Sequence, residues 1–378
     1  MGKSRIRGRA GTPAKADEFY HWHDESSLAA LDVDRDSLRT LLRPLAYGPL
    51  SPEISPKRRR KFQRIMGKDA ATIPVRVATL LEACELLHIP PESLEGMKLF
   101  RRRYPIPLAQ PGIYRLMTHV INEGSVKGGR NPRGVYCNLD LSLHERVSEL
   151  IDSLGSHGNR RIGKDNVPET YVSAIIARLM IKAGLVPGKK TRGQYLHHLP
   201  ERILDDPELS KYHMSTTLTE EGWPNLSISE NNRLSISLGY SRSIDVTDSL
   251  PYVYINTLNK GNKYSFGMIP DEIRTRVLYV PFPLLEDEIK ILNTTLDIEV
   301  HISPQSLYRS KRDRVTTEWR VSFSGAEAVE RFTNKFGFLP ESKVEKTFKL
   351  MWGFYNEYKG KILSQEEVDR INKELGRT

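Results

Sequence analysis

The sequence contains the same run of elements twice, and that repetition constrains the fold more than any other feature. LMTHVINEG (residues 116–124) and MSTTLTEEG (residues 214–222) each read as a helix end closing in an acidic residue and a glycine, with the glycines 98 positions apart. After the first, SVKGGRNPRGVYCNLD offers two short strands around a Gly/Asn/Pro turn, with Val135, Cys137 and Leu139 alternating against Tyr136 and Asn138. No helix follows SVKGGR, so it reads as a hairpin turn and not a phosphate loop. Val147, Leu150, Ile151 and Leu154 then recur at helical spacing. A strand near residues 170–172 leads into a helix over 174–183, which Gly184 ends.

After the second motif comes a hairpin turning at Asn231-Asn232, with Leu226, Ile228, Leu234, Ile236 and Leu238 on one face and serines on the other. An insertion near 247–280 precedes a helix over 284–296, two strands, and a helix starting near Ala326. In the last strand Trp319, Val321 and Phe323 face one side while Arg320 and Ser322 face the other. The spacing therefore predicts a first repeat over 106–198 and a second over 199–355. A final helix within 356–378 opens on SQEE, a capping box, and continues through Val368, Ile371 and Leu375.

Residues 1–28 are basic and without periodicity, which predicts a flexible arm whose Arg5, Arg7, Arg9 and Lys15 lie along a phosphate backbone. Residues 29–105 read as a small all-α domain. Leu38, Leu41 and Leu42 mark one helix, and Ser55-Pro56 caps a second that carries Lys57, Arg58, Arg59, Arg60, Lys61 and Arg64. A third spans 72–84 through Val75, Val77, Leu80 and Leu81. Short helices with one basic face suit a helix-turn-helix-like nucleic-acid-binding domain, and equally a plain bundle with a solvated basic helix. The prolines of RRRYPIPLAQPG mark the boundary to the repeats.

A net charge of +10 favours a polyanionic partner, since clustered Lys and Arg displace counterions from phosphates. Two separated cysteines, Cys84 and Cys137, provide neither a disulfide framework nor a cysteine-based zinc site. His21 and His23, and the pair His197-His198, have no partner ligands at useful spacing along the chain, which argues against metal there. No run approaches the roughly 20 apolar residues a membrane helix needs, and the first residues lack an apolar signal segment. The expectation is a cytoplasmic protein without membrane contact.

The paired motifs resemble the LAGLIDADG family, named for a nine-residue helix end closing in an acid and glycine. VSAIIARLMIKAGLVPGKKT and FTNKFGFLPESKVEKTF look like the ends of the two repeats, so the resemblance covers about 111–354. It implies an α+β fold of two pseudo-symmetric αββαββα repeats forming a saddle-shaped antiparallel sheet, in a single-chain monomeric pseudo-dimer. Two such helices pack side by side, so the face between them needs short side chains, here Thr118, Ser215 and Thr216. Gly124 and Gly222 would end the helices through positive φ.

Carried over, the resemblance makes Glu123 and Glu221 ligands of Mg²⁺ and catalytic groups, with Lys127, Lys164 and Lys311 as basic groups near the scissile phosphates. Both acids are glutamate, with a carboxylate about one methylene farther out than aspartate. Trp223-Pro224 stands where a small residue is expected. Arg130, Arg133, Arg233, Arg242, Arg309, Lys311, Arg312 and Arg320 on the strands and turns, with the basic helix, are the candidate nucleic-acid contacts. The Ser227, Ser229, Ser235, Ser237 face can contact phosphate. The first reading is a metal-dependent double-strand DNA endonuclease. The second is a non-cleaving nucleic-acid-binding regulator, or a factor for structured RNA or a ribosomal surface; a protein-interaction scaffold is the third.

Overall fold

The structure, a computed structural model, describes residues 18–24, 30–95, 97, 104–129, 132–156, 158–163, 166–188, 190–191, 194–296 and 300–377. In the first half the helix Pro111–Glu123 precedes strands Gly124–Lys127 and Arg133–Cys137, the helix Leu141–Ser153, strands Asn159–Ile162 and Pro168–Val172, and the helix Ala174–Lys182. The second half repeats this order with Pro207–Glu220, strands Gly222–Ile228 and Leu234–Asp245, Pro283–Leu296, strands His301–Arg309 and Val315–Ser324, and Ala326–Lys335. Each half lays its strands antiparallel in the order first, second, fourth, third. The molecule is α+β, with the same αββαββα unit used twice. The expected saddle is divided into two sheets, one per repeat.

Side-chain alternation fixes which face of each sheet is covered. Ile236, Leu238, Tyr240, Val321 and Phe323 are buried under helices, while Ser235, Ser237, Ser241, Arg320 and Ser322 occupy the open face. Asn232 turns the hairpin with a left-handed φ of 54°, a conformation asparagine tolerates. The Ser364 capping box is formed and opens the helix Gln365–Glu374.

Four expectations change. Residues 72–76 do not begin a helix: Thr72–Arg76 is a strand paired with Ala30–Asp34, burying Ile73 and Val75 on one face. Thr, Ile and Val favour a pleated strand over a helical turn, so the described residues between 30 and 105 are mostly helical but not all-α. The segment 18–24 is packed and not a free arm, because Phe19–Tyr20 pairs with Ile106–Pro107 and Trp22 is fully buried. Arg5, Arg7, Arg9 and Lys15 lie outside the described residues. The insertion contributes helices Tyr252–Thr257 and Asp271–Leu278, and its strand Lys263–Ser265 adds a fifth strand to the second sheet beside His301–Arg309.

The fourth change concerns Arg309, expected on a nucleic-acid face. It is buried and donates to the carbonyls of Ile255 and Leu258 and to Asp313. Arginine here ties the insertion to the sheet through its two terminal nitrogens, which burial requires to be paired internally. Among the described residues no helix is long and apolar enough to cross a membrane.

Candidate metal centre and nucleic-acid interface

The helices Pro111–Glu123 and Pro207–Glu220 pack on each other through small and polar side chains. Thr118 Oγ1 lies 3.4 Å from His213 Nδ1, and Thr217 donates to Asn122 Oδ1 at 3.3 Å. Of the expected small residues Thr118 meets the partner helix, while Ser215 donates instead to the Phe336 carbonyl and Thr216 to its own helix. His119, bulkier than its neighbours, is accommodated by polar partners: its ring nitrogens contact Glu220 Oε1 and, at 2.8 Å, the Tyr212 hydroxyl. Tyr136 donates to the same Glu220 oxygen at 2.7 Å.

Both motif glycines are required, for a reason other than the expected one. Gly124 has φ −124°, ordinary extended backbone, and Gly222 is not left-handed either. The requirement is closeness. A Cβ on Gly124 would stand 2.8 Å from Val120 Cα and 2.7 Å from the Val135 carbonyl, and one on Gly222 would stand 2.8 Å from Leu218 Cα. Val120 and Leu218 precede their glycines by four residues, so each strand leaves its helix by folding tightly back over the last turn.

That exit places the two acids together. Glu123 Oε2 and Glu221 Oε1 each lie 3.4 Å from one ammonium, Lys190 Nζ, so the two oxygens are separated by no more than twice that distance. Lys190 is held there by backbone on both sides. The Gly188 N–H donates to Val126 O in the first sheet at 2.8 Å, and Asp245 N–H in the second sheet donates to Thr191 O at 3.1 Å. The connection between repeats thus crosses beneath both motif ends and carries Lys190 between them. Glu123 and Glu221 keep 28% and 22% of their side-chain surface, so solvent and ions reach the pair.

Burial pushes the Glu123 carboxyl up to about 7; Lys190 opposes the rise, and the neighbouring Glu221 and Glu220 add to it. Burial would lower the Lys190 ammonium, but Tyr195, Glu221 and Glu123 outweigh it and raise its pKa. Two hard carboxylates that repel when both are ionised could together hold a hard divalent cation, whose shell water and phosphate oxygens would complete.

Arg242 is the clearest correction. It is fully buried, on the covered face of its strand, and cannot reach a nucleic acid. Its guanidinium donates to Asn122 Oδ1 at 2.7 Å and Glu288 Oε1 at 2.5 Å, and stands 3.6 Å from Glu221 Oε1. His213 Nε2 lies 3.1 Å from the same Glu288 oxygen. Burial alone would raise the Glu288 carboxyl, but Arg242 and His213 hold it down at about 2. Arg242 therefore supports the acid pair from below.

The remaining candidates separate. Lys127 and Arg133 are exposed and directly opposite each other on adjacent strands, where like charges repel until an anion lies between them. Arg320 lies on the open face over the Trp223 ring, 4.9 Å from its centroid. Gly239, opposite Trp223 in register, leaves room for the indole, so Trp223 rests on the sheet.

Lys311 and Arg312 are exposed at the tip of a hairpin that begins to pair at Val315. Gly222 aligns through Tyr240 with Val321, six residues away, or roughly 20 Å along the strand. Lys311 is thus too far from the acids to act with them. Arg233 is exposed in the turn at the sheet's other end. Lys164 and Arg130 lie outside the described residues. On the helix Pro56–Met66, Lys57, Arg60, Lys61 and Arg64 line a surface groove with Ser55 and Ile65. Arg58 and Lys61 also pair with Glu82, and Arg59 turns toward Ser51.

Lys190 was missed among the candidate bases. Its signal was present, since VPGKKT follows the end of the first repeat, but a lysine in a connecting loop cannot be placed by periodicity.

Topology and site together define a two-repeat αββαββα protein with a carboxylate pair where its two central helices end. No family model and no curated protein matches the sequence. Among solved structures the chain is similar to the LAGLIDADG meganuclease I-AabMI bound to uncleaved DNA, at 13% identity over 69% of this chain and 97% of that one, with a TM-score of 0.37. The LAGLIDADG homing endonuclease I-LtrWI bound to target DNA gives 10% identity, 71% and 98% coverage, and a TM-score of 0.40. Full-length DUF199/WhiA from Thermatoga maritima gives 10%, 71% and 68%, and 0.34. Likeness at this level carries no weight for function, which has to come from the site itself.

Proposed function

We propose that this chain is a LAGLIDADG-type nucleic-acid-binding protein whose Glu123 and Glu221 hold a divalent cation, Mg²⁺ by donor chemistry, for phosphodiester hydrolysis in duplex DNA. The observation that carries this reading is the convergence of both motif acids on Lys190, 3.4 Å from each, in a solvent-accessible position. A bound cation there would activate water and stabilise the leaving oxygen. Lys190 adds a positive charge where a phosphate would approach, Arg242 fixes Glu221 and Asn122 from the interior, and Lys127, Arg133 and Arg320 supply positive charge on the open sheet faces. The helix Pro56–Met66 adds affinity independent of sequence.

One observation favours a second reading, binding without cleavage. The Lys190 ammonium already offsets one of the two carboxylate charges, and the open face of the second sheet is mostly serine, which contacts phosphate more readily than it reads bases. Incubation with Mg²⁺ or Mn²⁺ and a pool of duplex DNA separates the two. Cutting that disappears in Glu123→Gln and Glu221→Gln, with binding retained, supports hydrolysis. Binding without cutting under any metal supports the second reading, and cutting that survives both substitutions removes the acids from the mechanism.

A further inference from the structure

We propose a second metal site, distinct from the acid pair: a Zn²⁺ site formed by His21, His23 and Glu95, with the fourth position left to water and Glu92 orienting the His23 ring from its Nε2 side. The sequence alone gives His21 and His23 no partner. The fold supplies one from more than 70 residues away: His21 Nδ1 lies 3.1 Å and 3.2 Å from the two Glu95 oxygens. One donor atom from each of His21, His23 and Glu95 falls within 4.8 Å of the others, the one such group of three among the described residues. Glu92 Oε1 stands 3.5 Å from His23 Nε2.

Local structure assembles the cluster. The short turn Trp22–Asp24 stacks the two imidazoles, with ring centroids 5.1 Å apart and planes 18° from parallel. Trp22 between them is fully buried and donates from Nε1 to the Pro91 carbonyl at 2.9 Å, which pins this turn against the turn Pro91–Leu94. That second turn and its next residue bring Glu92 and Glu95, three positions apart, to the same side.

Two further observations point to a cation. The Glu95 side chain retains 8% of its surface, and a carboxylate so enclosed needs a positive partner. His23 Nδ1 is buried without a hydrogen-bond partner, an open donor position for a metal. A tetrahedral zinc with bonds of ~2.0–2.1 Å sets its ligands about 3.4 Å apart. The His21–Glu95 contact, at 3.1 Å, already stands near that spacing. Two imidazoles with a carboxylate suit zinc over Mg²⁺ or Ca²⁺, which prefer all-oxygen shells. Asp24, beside the cluster, pairs with Lys182 of the first repeat at 3.3 Å, so the metal would clamp residues 18–24 and 91–95 where they meet the repeat.

The test uses untagged full-length protein stripped by chelator and titrated with ZnCl₂, with bound zinc counted by mass spectrometry of the metal and affinity measured by calorimetry. One zinc per chain is expected, unaffected by Glu123→Gln/Glu221→Gln or by His197→Gln/His198→Gln. Co²⁺ at the same site should give the intense visible bands of tetrahedral coordination. His21→Gln/His23→Gln should abolish that zinc and the bands. Glu95→Gln, which keeps the side chain's size, should weaken binding at least about tenfold, the lower range for removing a supporting group at a metal site, with an unchanged circular dichroism spectrum. Absence of zinc in the wild type overturns the proposal. So does unchanged affinity in the double histidine variant or, should that variant not fold, in Glu95→Gln.

Discussion

Arg242 and Glu288 are joined in the interior by two hydrogen bonds, Nη2 to Oε1 at 2.5 Å and Nε to Oε2 at 3.2 Å. Removing one partner strands the other charge away from water, so Arg242→Met or Glu288→Leu should each lower stability by about 3–5 kcal/mol, measured by urea denaturation. The double substitution should recover much of that decrease, because an apolar pair leaves no buried charge. The same pair has a pH signature. Glu288 is held at about 2 in the fold, below the ordinary ~4.3. Its contribution is therefore complete above about 4.3 and disappears as pH falls toward 2, so wild type should become less stable in that window more steeply than Glu288→Gln.

Glu123 behaves with the opposite sign. Its carboxyl is raised to about 7 in the fold, so it favours the folded state while protonated, and this contribution disappears as pH rises from about 4.3 to 7. A divalent cation needs the carboxylate and must displace the proton. Mn²⁺ affinity should rise about tenfold per pH unit below 7 and level off above it, read from the Mn²⁺ electron-spin resonance signal. Glu123→Gln should flatten the profile. Lys190→Met, by removing a charge that opposes the rise, should move the midpoint higher.

The motif glycines should tolerate no side chain. Gly124→Ala and Gly222→Ala each force a Cβ into backbone of the preceding turn, and should cost at least about 1–3 kcal/mol, the usual range for overpacking. Gly353 provides the contrast. It lies inside the helix Lys343–Tyr358, where a methyl group would meet nothing within 4 Å, so Gly353→Ala should stabilise by about 0.5–1 kcal/mol. Thermal melts of the three variants test both directions.

Nucleic-acid binding should weaken as salt rises, with a slope set by the number of phosphates neutralised. Lys57→Ala, Arg60→Ala and Arg64→Ala together should flatten the logarithmic plot by about 0.9 for each phosphate that is no longer neutralised. Arg242→Lys should leave that slope unchanged, since Arg242 never reaches the surface. Fluorescence anisotropy across a salt series gives both slopes.

The repeated order of elements was legible because each carries its own local signal: helical recurrence around Val147 and Leu150, alternation from Leu234 to Leu238, and capping at Ser55 and Ser364. The pairing of Glu123 with Glu221 was legible for the same reason, since two similar helix ends imply two similar exits. What the chain hid was tertiary. Alternation could place Ser235 and Ser237 on one face, but not whether Arg242 lay over a helix or in the open. Lys190 sits in a loop with no period, fixed by hydrogen bonds to both sheets that only the fold creates. Glu95 reaches His21 across a sequence distance at which spacing carries no information. Residues 72–76 failed differently: Val75 and Val77 fit either period, and pairing with Ala30–Asp34 decided between them.

The strand Lys263–Ser265 gives the molecule a direction. A partner lying across both sheets meets four strands at one end and five at the other, so its two possible orientations differ in energy as soon as its own two ends differ. On a duplex whose halves are related by a two-fold axis the two seatings are the same complex, whereas on an asymmetric duplex the protein would seat one way round and each strand would keep a fixed companion among the two acids.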